Sequence, residues 1–491
     1  MLNPATTMQP WEQGGLQARD AFIAEFLAIS SEQFITQEGG FVKGDPIQAY
    51  NQGAIPDCNG NNAGHNYMVY ALPAPKEQGA INTISAADDN DPKTFGLWTS
   101  YRLRQDEVIV FIGQTPPKVD YYSYRSFLYN RFYKEKCKRC ILFVSLGDTI
   151  NNMRIKLSSP APGSPVIIIT GANEASCRLV VKDLIKSISK ANPFNDPATL
   201  EKSINFDRIP LDLVRMGLKI QDDEFFYLNR VGNFVNESEG DDYLKNENGK
   251  YGRVFRLTPI KQWEPKAFVG AENLIPRGSG KNLEFQYSNA LIELRSQILK
   301  RHFDKIARDI ETKVWLFDSF DALQRGIDLL GESRDTSYLE TDPFLLANCG
   351  DAGDFAIVYG LNHASCGTST YSNFGVYDCS TEAGVVGKSS SHKSYSGLAA
   401  EYLNGTAFAH LAHLFYVWKI GRFEPANQNH GYLQVPFVVR NNGVFSERAE
   451  IIPLEQEMKF GFRAYLDPRT GIGPAWWEML YDRAIVFKSS R

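Results

Sequence analysis

The residue types that could do chemistry crowd into one stretch, Asp351 to Asp378. It reads D-A-G-D-F-A-I-V-Y-G-L-N-H-A-S-C-G-T-S-T-Y-S-N-F-G-V-Y-D. An apolar β-branched run, a polar turn and an aromatic run predict strand, turn and strand. His363 sits in the turn. An imidazole there can act as general acid or base, because its ordinary pKa lies near neutral pH. Asp351 or Asp354 is the carboxylate expected to orient it. Cys366, three residues on, becomes a nucleophile if His363 lowers its pKa. The competing reading is that Asn362, His363 and Ser365 only satisfy the hydrogen bonds of the turn.

A second histidine cluster follows. His363, His392, His410, His413 and His430 all lie in the last third of the chain. His410-Leu-Ala-His413 is an i, i+3 pair. On a helix the two imidazoles share a face and could hold a metal with a distant carboxylate. On a strand they would point to opposite faces. No Glu stands between them, so this is not the zinc-protease helix.

An earlier stretch, Asp106 to Tyr129, echoes the first one. Each has an acidic residue, an Ile-Val run, a glycine (Gly113 or Gly360) and a polar turn. Each then reaches a Tyr-Ser pair in an aromatic strand, Tyr122-Ser123 or Tyr371-Ser372. The echo predicts two β-rich sections related by an old duplication. Aromatic walls carrying a few hydroxyls suit a small organic ligand or a sugar. Tyr122, Ser123, Asn362, Tyr371 and Ser372 are therefore the expected binding residues.

Bulk properties narrow the classes. The chain has 491 residues, 43% of them hydrophobic and 22% charged, which suits a folded chain of several domains. A net charge of −5 argues against a general nucleic-acid binder, which needs a basic surface. The basic run Lys134 to Arg139 reads as a solvated loop. No apolar stretch reaches the length of a membrane-spanning helix. The N-terminus given lacks the basic and apolar regions of a signal peptide. Seven cysteines leave at least one unpaired within the chain. Cys137-Lys-Arg-Cys140 has no second pair at metal-ligand spacing, so a zinc site there is not expected. Asn236-Glu-Ser and Asn404-Gly-Thr are glycosylation sequons.

The elements that must position these residues can be read in order. Residues 17–31 form an amphipathic helix, and 37–65 read as a long irregular loop rich in Gly, Asn and Pro. Short strands follow at 67–72, 95–103, 107–112, 119–129 and 140–146, with turn signals that include 89–92. Val166–Thr170, a helix to about Lys190 and a strand at 204–209 make a β–α–β unit with a parallel pairing. Gly171 is a single glycine, so the turn carries no nucleotide fingerprint. Strands at 224–231 and 253–258 come next. Gly278-Ser-Gly-Lys281 resembles the tail of a phosphate loop but lacks the first glycine and a preceding strand, so it reads as a flexible lead-in to the next helix. That helix spans 283–313 on the Leu291, Leu294, Ile298, Ile306, Ile310 stripe, with His302 as a boundary residue. A second helix covers 317–330. The last third returns to strands at 355–360, 370–377, 434–439, 459–466 and 484–487, with a turn at 441–443. Residues 396–420 are helical or mixed.

One local resemblance is present. Pro116 to Tyr129, with Ser145-Leu-Gly-Asp148 and the strand after it, is similar to a motif of DUF1254/DUF1214 proteins. The resemblance covers 116–157, a small part of the chain. It implies an antiparallel β-sandwich for 95–158 and a lean towards an exported, extracellular protein, and it hands over no catalytic residues.

These readings predict an α+β protein of four sections. They are an N-terminal β-rich section (1–158), a section containing the β–α–β unit (159–275), a central helical pair (276–335) and a C-terminal β-rich section (336–491). The expected function is an enzyme acting on a small organic substrate in a cleft between the two β-rich sections, with His363 as acid or base. The alternative is a non-catalytic ligand- or glycan-binding β-sandwich protein. No residue pattern names a cofactor.

Overall fold

The computed structural model describes residues 10–75, 96–189, 196–268, 274–318, 320–348, 353–423, 431–438 and 449–489. Asp351, His430 and the turns at 89–92 and 441–443 lie outside the described residues. The protein is α+β, with one large curled sheet and two smaller ones. Among the described residues, no helix is long and apolar enough to cross a membrane.

The chain divides into two compact units. The first comprises Met1–Gly44, Asn66–Leu274 and Ser319–Asp328, and the second comprises Asp45–His65, Ile275–Asp318 and Leu329–Arg491. The strands of the β–α–β unit are thus continuous with the N-terminal β section rather than separate from it.

In the first unit the strands are β1 (Phe34–Gly44), β2 (His65–Pro73), β3 (Leu97–Trp98), β4 (Ser100–Tyr101), β5 (Val108–Gln114) and β6 (Val119–Tyr133). Then come β7 (Lys138–Ser145), β8 (Ile150–Asn151), β9 (Pro165–Gly171), β10 (Ile204–Arg208), β11 (Glu224–Phe234) and β12 (Gly252–Pro259). Their order is β10-β9-β5-β12-β1-β2-β11-β6-β7, with the three shortest at its margins. β9 and β10 pair in parallel, as a β–α–β crossover requires. Asn173 starts the crossover helix, Glu174–Lys186, by accepting from the backbone N–H groups of Ala175 and Ser176.

Alternation decides what each face does. Val108, Val110, Ile112, Ile167, Ile169, Phe255 and Leu257 pack on Phe22 and Phe26 of helix Pro10–Ser30 and on Val180 and Leu184 of the crossover helix. The opposite face is aromatic: Tyr70 stacks on Tyr227 at 3.6 Å, and Phe41, Phe111 and Tyr124 lie around them.

Two devices curl the sheet. β1 pairs with β12 through Gly39 and with β2 from Gly40, so the chain changes partner at the Gly39-Gly40 corner. A Cβ on Gly39 would lie 2.5 Å from the Ala71 carbonyl oxygen and 2.9 Å from Leu72 Cδ2. Gly39→Ala is expected to cost about 1–3 kcal/mol by overpacking, read as a lowered urea midpoint at unchanged m-value. At the other end, Asp207 of β10 reaches β6. It accepts from the Ser126 hydroxyl at 2.5 Å, the Ser126 N–H at 3.4 Å, Thr170 Oγ1 at 3.0 Å and Arg125 Nη1 at 3.1 Å.

The second unit holds β13 (Ile306–Ile310), β14 (Thr312–Val314), β15 (Thr336–Thr341), β16 (Phe355–Leu361) and β17 (Tyr371–Asp378). It continues with β18 (Gly384–Ser389), β19 (Phe415–Gly421), β20 (Tyr432–Gln434), β21 (Met458–Tyr465) and β22 (Arg483–Lys488). They form two five-stranded sheets, β13-β22-β16-β19-β20 and β14-β15-β21-β17-β18. Val358, Trp418 and Val486 of one sheet meet Phe374, Phe460 and Phe462 of the other in a sandwich-like core. Behind the first sheet, Leu291, Leu294 and Ile298 of helix Ser288–Arg301 pack on Ile357, Tyr359 and Ile485.

Several sequence expectations shift here. The long loop at 37–65 instead carries β1 as far as Gly44 and a helix at Pro46–Asn51, which Asp45 caps. The predicted helix 283–313 ends at Arg301, and Ile306 and Ile310 belong to a strand paired with β22. Ile306 lies eight positions after Ile298 and Ile310 four further, which fits helical turns, but the polar residues between Ile298 and Ile306 mark the break. The second predicted helix shortens to Phe320–Arg325 and falls in the first unit.

Candidate functional site

His363 stands immediately after β16, in a turn built as the sequence suggests. The Ser365 N–H donates to Asn362 Oδ1, the Cys366 N–H to the Asn362 carbonyl, and the Thr368 and Ser369 N–H groups to the His363 carbonyl. The imidazole points inward and is 3% exposed. Its Nδ1 lies 2.7 Å from Glu284 Oε1 and its Nε2 lies 3.2 Å from Asp482 Oδ2. Both carboxylates are buried. The Tyr416 hydroxyl donates to Asp482 Oδ1 at 2.6 Å, and the Leu480 N–H donates to Glu284 Oε2 at 2.7 Å.

Strand register explains how these groups meet. β22 pairs with β16 with Arg483 opposite Tyr359, which brings Asp482 beside Gly360. A Cβ on Gly360 would lie 2.5 Å from Asp482 Oδ1, so the glycine noted in the sequence is the room that Asp482 occupies. Burial disfavours the charged imidazole, but the charges of Glu284 and Asp482 outweigh it and hold the His363 pKa well above its ordinary value. His363 is a locked imidazolium, both of its N–H groups donating to carboxylates. Such a group has no free lone pair with which to take a proton from a substrate.

Of the companion carboxylates, Asp351 lies outside the described residues and Asp354 is not a partner of His363. Asp354 sits before β16, at the end opposite His363, roughly 20 Å away along the strand. Its Oδ2 takes the Asn348 N–H instead. The Cys366 pKa is pushed up to about 12, by burial first and by the Glu284 charge second. It is therefore not activated by His363, and the thiol stays protonated at neutral pH. Glu284 and Asp482 are the partners that the sequence reading missed. They lie 79 positions before and 119 positions after His363, where no spacing rule reaches.

The expected binding residues divide between the two units, Tyr122 and Ser123 in the first and Asn362, Tyr371 and Ser372 in the second. Tyr371 is buried between His65, at 5.7 Å, and Tyr465, at 5.1 Å, and its hydroxyl accepts from Asn373 Nδ2 at 3.0 Å. The Ser372 N–H donates to Ser390 Oγ at 3.0 Å. Ser123 Oγ accepts from the Tyr121 hydroxyl at 2.7 Å, and Tyr122 is half-buried, edge-on to Tyr124 at 5.9 Å. His410 and His413 lie in a 3₁₀ turn, Ala409–Leu414, and both are exposed. Residues three apart eclipse in that geometry, so the two imidazoles share a face. Among the described residues, no group of three His, Cys, Asp or Glu side chains is placed to hold a metal ion.

Gly278-Ser-Gly-Lys281 does bind an anion, and the anion is internal. The Ser279 and Gly280 N–H groups donate to Glu478 Oε2 and Oε1 at 3.0 and 2.7 Å.

One open groove lies in the first unit, with a volume of about 450 Å³. Gly39, Gly40, Gly249 and Gly252 line it, with Phe41 and Val42. Glu38, Lys245, Glu247, Asn248 and Arg253 stand round it. Asn246 shapes the wall with Nδ2 on the Phe41 and Gly252 carbonyls and Oδ1 on the Tyr251 and Gly252 N–H groups. Glu38 and Arg253 pair at 2.8 Å along it.

No protein-family model matches this chain, and no curated protein matches it. Among solved structures it is similar to the VPA0106 protein from Vibrio parahaemolyticus, at 9% sequence identity over 96% of this chain and 99% of that one, with a TM-score of 0.35. A likeness at that score carries no argument about function.

Proposed function

We propose that this protein is a non-catalytic binding protein that takes a small, hydroxyl-rich ligand such as a short glycan into the groove beside β1. The observation that carries the reading is the sealed state of His363, enclosed by Glu284 and Asp482 on both nitrogens. The residue best suited to acid–base work is committed to the fold. The groove, by contrast, is lined by polar side chains, Lys245, Glu247, Asn248 and the Glu38–Arg253 pair among them, with four glycines between. Donors and acceptors side by side match sugar hydroxyls.

The test is calorimetric titration of the native protein with a panel of neutral and acidic mono- to tetrasaccharides. Binding that weakens about tenfold or more in Asn248→Ala and Glu38→Ala, at unchanged melting temperature, is the expected result. Two results overturn the reading. One is a panel without binding. The other is turnover of a small organic substrate that disappears in a folded His363→Gln variant, which would restore the enzyme.

A further inference from the structure

The segment Ala475 to Asp482 crosses the second unit as a strap between β21 and β22. It reads A-W-W-E-M-L-Y-D and contains one 3₁₀ turn, Trp476–Glu478. Its polar contacts reach the 279–284 stretch, the His363 turn and Tyr416 of β19. Glu478 sits on the Ser279 and Gly280 N–H groups. The Leu480 N–H sits on Glu284. Asp482 sits on His363. Glu284 also holds His363, so a single imidazole bridges two buried carboxylates, one leading into helix Ser288–Arg301 and one on the strap.

We infer that His363 is a proton-operated latch, holding the 475–482 strap down while its imidazole is charged and releasing it when the proton leaves. Without that charge, Glu284 and Asp482 are two buried anions with a neutral ring between them. Water must enter to solvate them. The strap end is the element that can yield. Trp477 on it is already 63% exposed, whereas β16 and β22 are paired along their length. Release would uncover Met479 and the side of Trp476 that packs on the sandwich-like core.

The direction follows from linkage. The His363 pKa is raised in the folded state, so its contribution is fully present below the unfolded value of about 6.5 and is lost as pH rises through the folded value. The other titratable groups facing the site are Tyr416 and Tyr395, both held well above 10, and Cys366, pushed up to about 12. They act further into alkali. Glu284 and Asp482 are the acidic groups whose repulsion the latch controls.

The experiment is hydrogen exchange read by mass spectrometry on the intact native chain from pH 6 to 11, corrected for base-catalysed exchange. Protection of peptides covering 475–482 should fall about tenfold or more in one alkaline step, while peptides of β16 and β19 keep theirs. In His363→Gln the strap should exchange fast at every pH, with no step. Glu478→Gln should lower protection yet keep the step. Protection that persists until global unfolding overturns the latch, and so does the same step in His363→Gln. If His363→Gln does not fold, histidine-selective NMR of the native protein decides. A His363 titration midpoint that differs from the exchange midpoint overturns the latch, and a coincident one supports it.

Discussion

Substituting His363→Leu will destabilise the second unit by about 3–5 kcal/mol, the usual cost of removing one partner from a buried ion pair. Leucine fills comparable volume, so packing is not the main loss. What remains is Glu284, 0% exposed, and Asp482, 3% exposed, facing an apolar side chain. Each keeps one donor, Leu480 N–H or the Tyr416 hydroxyl, and each loses the cation. The carboxylates must then bind protons or unfold the turn. A triple variant carrying His363→Leu, Glu284→Gln and Asp482→Asn should recover part of the loss, because no buried charge is left. Urea unfolding at pH 7 measures both. A loss below about 1 kcal/mol in the single variant would mean that the buried triad contributes little to the fold, and that His363 is held for another reason.

The same triad defines what could be read in advance. The polar turn at Asn362 to Ser365 was legible, because Asn, Ser and Gly supply local hydrogen bonds regardless of tertiary context. The reading that those residues serve the turn describes Asn362 well. His363 itself was legible as a singular residue but not in its role. Its carboxylates arrive through sheet register and through the lead-in to a distant helix, and register is a property of the folded sheets. Asp354 was chosen by proximity in sequence. In an extended strand, proximity in sequence becomes distance in space. Cys366 shows the converse error: it lies close to the triad, and the nearby Glu284 charge raises its pKa instead of lowering it.

Architecture was more accessible than chemistry. The β–α–β unit followed from a continuous apolar strand, an amphipathic helix and a second strand, and parallel β9 and β10 match it. The Ile306–Ile310 strand was not accessible, because β-branched residues at a helical spacing satisfy both periods. The curl of the first sheet was hidden too. It depends on a glycine pair whose neighbours are Ala71 and Leu72, and on Asp207 meeting Ser126. The echo of Tyr122-Ser123 in Tyr371-Ser372 is a likeness of strand pattern. β5 and β6 belong to one curled sheet, whereas β16 and β17 belong to different sheets of the second unit.

Glu107→Ala is expected to cost the first unit as much as His363→Leu costs the second, about 3–5 kcal/mol. Glu107 and Arg256 are 0% and 1% exposed and pair through two bonds, Nε to Oε1 at 3.0 Å and Nη2 to Oε2 at 2.7 Å. Thr258 Oγ1 and the Arg104 N–H donate to the same carboxylate, at 2.5 and 2.8 Å. Arg256 spends its remaining donors on the Pro73 and Arg102 carbonyls, at 3.1 and 2.6 Å. The network therefore joins β12 to the chain entering β5 and to the ends of β2 and β4, where the curled sheet turns. Burial alone would raise the Glu107 pKa, but Arg256 and the donated hydrogen bonds overcome it and lower the pKa. A depressed carboxylate pKa contributes stability above the unfolded value of about 4.3 and loses it as pH falls through the folded value. Wild type should therefore weaken in acid, and Glu107→Ala should lose that part of its acid dependence because the titrating group is gone. Arg256→Met added to Glu107→Ala should restore part of the stability by removing the stranded guanidinium. Paired urea melts at pH 7 and pH 4 give the answer. Equal acid slopes in wild type and Glu107→Ala would assign the acid dependence to other carboxylates.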